Sequence, residues 1–295
     1  MYRRILALAA LGMALAVLPA TASAAAGPHY YLALGDSLAQ GMQPNFKGVL
    51  QDTNQGYVDD LAAAESAHVR DLQLVKLGCG GETTTSMLTG KGNAANARRF
   101  HCVKSGGSQL AAAVRFLKAH HRAGEVPLVT IDIGANDVDG CATATNVGAC
   151  VTAGIASISH NVPKILHALR AAAPKGTKFA GMTLYDPVLA GYFSSNANSK
   201  SLAAASPLLL KDVNDQLTGD FTKAGFKTAD VAGAFKSYDS TQTVAWEGNQ
   251  IPVNVATVCS WTWACQTPPS GPNIHANKNG YAVIASAFEK AIGRL

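Results

Sequence analysis

Four short segments of this 295-residue chain carry residue types suited to acyl transfer. Ser37 lies in Gly35-Asp36-Ser37-Leu38, where the apolar run Tyr30-Tyr31-Leu32-Ala33-Leu34 stops. Further on come Gly78-Cys79-Gly80-Gly81-Glu82-Thr83-Thr84, then Gly134-Ala135-Asn136-Asp137, then Asn273-Ile274-His275. The Ser37 hydroxyl would attack a carbonyl carbon, while the His275 imidazole accepts its proton and later returns it to the leaving alcohol. Main-chain N–H groups of Ser37 and Gly81, with the side-chain amide of Asn136, would face the developing oxyanion. Glycine at 81 allows close backbone approach, and asparagine is a neutral donor at any pH. Losing the Asn136 amide, as in Asn136→Ala, is expected to lower kcat by about 100- to 1000-fold. Asp36 is expected to hold the Ser37 turn or bond across the sheet edge, not to exchange protons. Taken singly, each of these residues reads equally as a turn former, a strand cap or a solvated loop residue.

The residues need a scaffold that gathers them. Strand-like runs at Tyr30 to Leu34, Leu72 to Leu77, Leu128 to Ile133, Lys178 to Leu184 and Lys227 to Val231 alternate with helix-like stretches. In those stretches apolar residues recur at three- and four-residue steps, from Gln109 to Ala119, Ile155 to Ala172, Leu208 to Phe221 and Ala282 to Ile292. The alternation predicts an α/β fold with a mainly parallel sheet. Three of the four chemical segments then follow strands, and ligands of open parallel sheets bind beyond the carboxyl ends of the strands. Pro163 predicts a kink or a helix start nearby, with Asn161 or Ser159 as cap. Ser237 to Asn279 shows neither helical nor strand period, and it carries Trp261 and Trp263. With Tyr185, Tyr192 and Phe193, these tryptophans are candidates to line an acyl pocket.

Composition sets the setting. Apolar residues make up 48% of the chain and charged residues 15%, which suits a sizeable buried core. The net charge of +5 is modest and scattered, so nucleic acid is not an expected partner. Arg3 and Arg4, an apolar stretch from Ile5 to Leu18 and a small-residue site predict a secretory signal peptide over residues 1–24. The alternative, a membrane anchor, would need about 20 apolar residues. Residues 25–295 are expected to form a single exported domain without stable membrane insertion. Outside the cytosol the six cysteines are expected to pair as sequence neighbours, Cys79 with Cys102, Cys141 with Cys150 and Cys259 with Cys265. No Cys-x-x-Cys pair or His-x-x-x-His spacing suggests a metal.

The four ordered segments resemble the SGNH, or GDSL, hydrolase family, whose blocks carry Ser, Gly, Asn and His; here these match Ser37, Gly81, Asn136 and His275. The resemblance covers essentially the whole chain after the leader. It implies a flavodoxin-like three-layer α/β/α fold, no metal or organic cofactor, and hydrolysis of esters or thioesters. The six cysteines look like those of the secreted bacterial branch with extracellular lipases and esterases. One departure stands out: the family usually has an aspartate three residues before the histidine, and this chain has Pro272. No acidic residue occurs between Glu247 and Glu289. The expectation is a Ser37–His275 dyad oriented by a main-chain oxygen, that of Pro272, with a distant carboxylate as alternative. The function expected is a monomeric, secreted serine esterase or lipase acting on a small-molecule or lipid ester through an acyl-enzyme. The rivals are a carbohydrate or cell-wall O-deacetylase on the same fold and a non-catalytic surface-binding protein.

Overall fold

Strand β1 (His29–Gly35) is buried at every position from Tyr31 to Gly35. Its apolar run does not alternate because a parallel strand covered by helices on both faces has no solvent side. The computed structural model describes residues 27–91 and 107–295. The expected signal peptide lies outside the described residues, as does Cys102 and hence its expected pairing with Cys79. Helix α1 (Tyr57–Glu65) and strand β2 (Leu72–Lys76) follow β1. Then come α2 (Thr84–Thr89), α3 (Gln109–Ala119), β3 (Leu128–Asp132), α4 (Val147–Ala172), β4 (Lys178–Met182), α5 (Ala197–Ala224) and β5 (Lys227–Ala229). Helices α6 (Val253–Trp261) and α7 (Lys278–Ile292) close the chain.

The five strands form one all-parallel sheet in the order β2-β1-β3-β4-β5. This is the flavodoxin-like order, and it reverses direction at β1, so the crevice beyond the end of β1 is the topological switch point where ligands bind. Helices α1 and α7 pack together on one face, with Tyr57 stacked on Phe288 at 4.9 Å. Helices α3, α4 and α5 cover the other.

Helix α3 starts where its period starts, with Ser108 Oγ accepting from Ala111 N–H at 3.1 Å. Helix α4 corrects the reading of Pro163: it begins at Val147, capped by Asn146, and runs through the proline. A proline removes one N–H, and buried Ile158, Val162 and Ile165 hold the helix across the gap. Asn161 is therefore no cap; its amide donates across to Thr84 Oγ1 and Thr85 Oγ1 at 3.1 and 3.0 Å. Helix α5 also contains a proline, Pro207, and Ser206 Oγ donates at 3.1 Å to the Ala203 carbonyl that the missing N–H leaves open. The segment read as lacking period holds an antiparallel ribbon, Thr243–Trp246 with Asn249–Pro252, and then α6. From Asn254 to Cys259 every residue of α6 is buried, so no amphipathic period could mark it.

Among the described residues, disulfides join sequence neighbours: Cys141–Cys150 ties the turn after β3 to the start of α4, and Cys259–Cys265 closes the end of α6. Among the described residues no helix is long and apolar enough to cross a membrane.

Candidate active site

The Ser37 turn is shaped from below. Gly35 pairs in register with Asp132 at the end of β3, has φ +146°, and a Cβ there would overlap the Asp132 carboxyl. Asp36 N–H donates to Asp132 Oδ2 at 3.3 Å, and Tyr57 OH donates to Asp132 Oδ1 at 2.7 Å. Burial and the neighbouring Asp36 charge push the Asp132 carboxyl well above the usual carboxylate range. Burial raises Asp36 as well, but its carboxylate is the better solvated of the two by N–H groups. Its Oδ1 accepts from Leu38 N–H at 2.9 Å and its Oδ2 from Asn136 Nδ2 at 3.2 Å. The first bond closes a tight turn over Ser37, which stands half-buried at the cavity wall.

The second and third segments are locked to one another. Gly81 adopts φ +75°, a left-handed conformation that glycine takes without strain, and the next residue turns back with Glu82 N–H on Cys79 O at 3.0 Å. Asn136 Nδ2 donates to Glu82 O at 3.1 Å as well as to Asp36. Asp137 accepts from Thr84 N–H at 2.9 Å and from Thr84 Oγ1 at 2.7 Å, which fixes the start of α2 against the turn after β3. Ser37, Asn136 and His275 all line one cavity. Gly81 stands one residue from the Glu82 carbonyl and is not part of that wall.

The fourth segment is held as a strand-like loop. Trp263 N–H donates to His275 O and Asn273 N–H to Trp263 O, each at 3.0 Å, and Tyr185 OH donates to Ile274 O at 2.7 Å. Cys259–Cys265 closes the stretch containing Trp261 and Trp263. His275 is 7% exposed, and this burial pushes its imidazole down to about 4. Its own main-chain N–H donates to Asn273 Oδ1 at 3.1 Å, and its Nδ1 lies 2.6 Å from the same oxygen. Because a backbone N–H only donates, the atom facing it is the amide oxygen, so Nδ1 must carry the proton and Nε2 keeps its lone pair. The expected orienter is thereby corrected: the Asn273 side chain, not the Pro272 carbonyl, holds the ring. The physical reason is local, since a side-chain oxygen two residues back reaches main-chain N–H and ring together. Ser37 and His275 share the cavity wall without a direct hydrogen bond among the described residues, and such bonds commonly tighten only on substrate.

The cavity opens to solvent and has a volume of about 110 Å³. Much of its wall is apolar, including Leu38, Val138, Val151, Leu184, Leu209 and Val213. Asp186 is a polar exception, raised by burial to about 6. Of the aromatic candidates only Tyr185 lines it. Tyr192 and Phe193 are exposed, Trp261 packs edge-on against Phe235, and Trp263 serves through its backbone. No group of three or more His, Cys, Asp or Glu among the described residues is arranged to hold a metal ion. Asp132, Tyr57 and Asn273 were missed as site residues. Only Asn273 had a signal in the chain, a short side-chain acceptor just ahead of the histidine.

Two solved structures share the fold. The extracellular lipase of Streptomyces rimosus is 17% identical with a TM-score of 0.54, over 89% of this chain and 99% of that one. Phospholipase A1 of Streptomyces albidoflavus NA297 is 16% identical with a TM-score of 0.53, over 90% and 100%. No curated protein sequence matches the chain. The model of the GDSL-like lipase/acylhydrolase family matches residues 33–283, a span holding all four chemical segments, and this chain belongs to that family.

Proposed function

We propose that this hydrolase is an exported enzyme that cleaves carboxylic esters through an acyl-enzyme, with Ser37 as nucleophile and His275 as base. The observation that carries the reading is the pair of hydrogen bonds that Asn273 Oδ1 accepts from the main-chain N–H and Nδ1 of His275, which leaves Nε2 free to take the Ser37 proton. As the Ser37 Oγ–carbon bond forms, the carbonyl oxygen becomes an oxyanion facing the N–H groups of Ser37 and Gly81 and the Asn136 amide. Both Asn136 N–H groups already meet acceptors, so the oxyanion replaces Asp36 Oδ2 on one of them. Imidazolium Nε2–H then protonates the leaving alcohol oxygen, the ester C–O bond breaks, and water repeats the sequence on the acyl-serine.

The apolar cavity beside Ser37 supports acyl chains longer than acetyl, which favours an esterase or lipase over an O-deacetylase. The Arg-led apolar leader and the disulfides support export. A fluorophosphonate probe should modify Ser37 stoichiometrically, and p-nitrophenyl esters should gain kcat/KM from acetyl to octanoyl. Folded protein that stays unlabelled would sink the reading.

Burial of His275 sets the acid side of the pH profile. The base works only when neutral, so kcat/KM for an uncharged ester is expected to hold through pH 5 and fall near pH 4, below the usual histidine value of about 6.5. The linked stability has the same sign. Between about 6.5 and 4 the unfolded chain takes up a proton that folded His275 does not, so stability drops as pH falls through that window. An acid limb near 6.5 would contradict a buried neutral imidazole.

A further inference from the structure

Gln109 is the first residue of α3 and is 2% exposed. Its carboxamide meets both main-chain groups of Gly35, the last residue of β1: Gly35 N–H donates to Oε1 at 2.8 Å, and Nε2 donates to Gly35 O at 2.9 Å. Those two contacts fix which end of the amide is which, because a backbone N–H only donates and a carbonyl only accepts. The second Nε2 hydrogen goes to Glu82 Oε2 at 2.9 Å. Glu82 is itself anchored by Ser86 Oγ on its other oxygen, and its main-chain carbonyl accepts from Asn136. One side chain thus spans the nucleophile turn and the Gly81–Glu82 loop, and through Glu82 it reaches the Asn136 amide.

We infer that Gln109 is a positioning residue that sets the spacing between the Ser37 turn and the Gly81–Asn136 side of the oxyanion site. The inference rests on the reading of Ser37, Gly81 and Asn136 given above. The three donors belong to separate loops, and an oxyanion is stabilised only where donors are already held at bonding distance of its position. Gln109 touches no reacting atom. It acts by keeping Gly35 and Glu82 at a fixed separation, with all three polar contacts made inside the protein where water cannot substitute.

The test uses Gln109→Met, which keeps length and volume but removes the polar head, and Gln109→Asn, which keeps the amide but is one methylene too short to hold both loops. Each would be measured well below its melting temperature with a soluble p-nitrophenyl ester and with an alkyl trifluoromethyl ketone, whose serine adduct places an oxyanion in the site. A fall in kcat of about 10- to 100-fold, KM within about threefold, and a matching rise in the ketone inhibition constant are expected. Unchanged ketone affinity in a folded variant, or a loss confined to KM, would overturn the positioning role. Fluorophosphonate labelling of the unaltered protein separates the two levels. If Ser37 is not the labelled residue, the site reading itself fails; if Ser37 labels and the ketone does not discriminate, only the role of Gln109 fails.

Discussion

Ser37→Ala and His275→Ala are each expected to lower kcat by about a millionfold, and the double variant to be scarcely slower than either single one. The reasoning is that the hydroxyl and the imidazole act as a unit. Without Nε2 to accept its proton, the serine stays a weak nucleophile; without the serine, the base has nothing to activate except water. The loss is therefore shared and not multiplied. Residual turnover above the uncatalysed rate should survive in all three variants, because the oxyanion donors and the acyl cavity are untouched. Folding should be little affected by Ser37→Ala, since the half-buried hydroxyl bonds to the neighbouring Asp36 carboxyl, which also accepts from Leu38 N–H and the Asn136 amide. The decisive measurement is kcat for the three variants on one p-nitrophenyl ester, with circular dichroism as the check on folding. Independent, multiplying losses, or a His275→Ala loss of less than about tenfold, would show that this histidine does not serve this serine.

Legibility in the chain followed burial geometry. Strand β1 stood out because its run is apolar without interruption, and β3 because apolar Leu128, Val129 and Ile131 do not alternate with a solvent side; strands covered on both faces are buried at every position. Helix α3 was marked by its cap and its period together. Helix α6 was invisible because it is buried all round, and the first half of α5 because Ala and Ser offer little contrast between faces. Helix α1 does carry a pattern, with Tyr57, Val58, Leu61 and Glu65 facing inward. The chemical segments were legible because each sits where a strand ends or a final helix begins. What holds them was not: the Gly35–Asp132 pairing depends on sheet register, and Gln109 meets Gly35 and Glu82 only after the fold brings distant segments together. Asn273 is a different case. The family's aspartate stands three residues before the histidine, while the contact here is made from two residues before it by a local turn.

That contact carries the second large effect. Asn273→Ala is expected to lower kcat by about 10³- to 10⁴-fold, the scale seen when a serine-protease imidazole is left in the wrong tautomer. With Oδ1 gone, nothing favours the proton on Nδ1, and rings with the proton on Nε2 cannot act as base. Asn273→Asp should behave in the opposite way. An aspartate oxygen can accept the same two bonds, so tautomer and orientation persist, and its negative charge favours imidazolium. The acid limb of kcat/KM should then move up from about 4 towards the ordinary histidine range. The direction follows from sign alone, because a carboxylate beside a base raises the base's affinity for a proton. The pair of variants separates orientation from charge: alanine removes both, aspartate keeps the first and adds the second. Turnover within tenfold of the unaltered enzyme for Asn273→Ala, with the acid limb unmoved, would show that another acceptor, such as the Pro272 carbonyl, takes over the ring. A large loss for alanine with an upward limb for aspartate would place the function of the missing aspartate in a neutral amide two residues from the base.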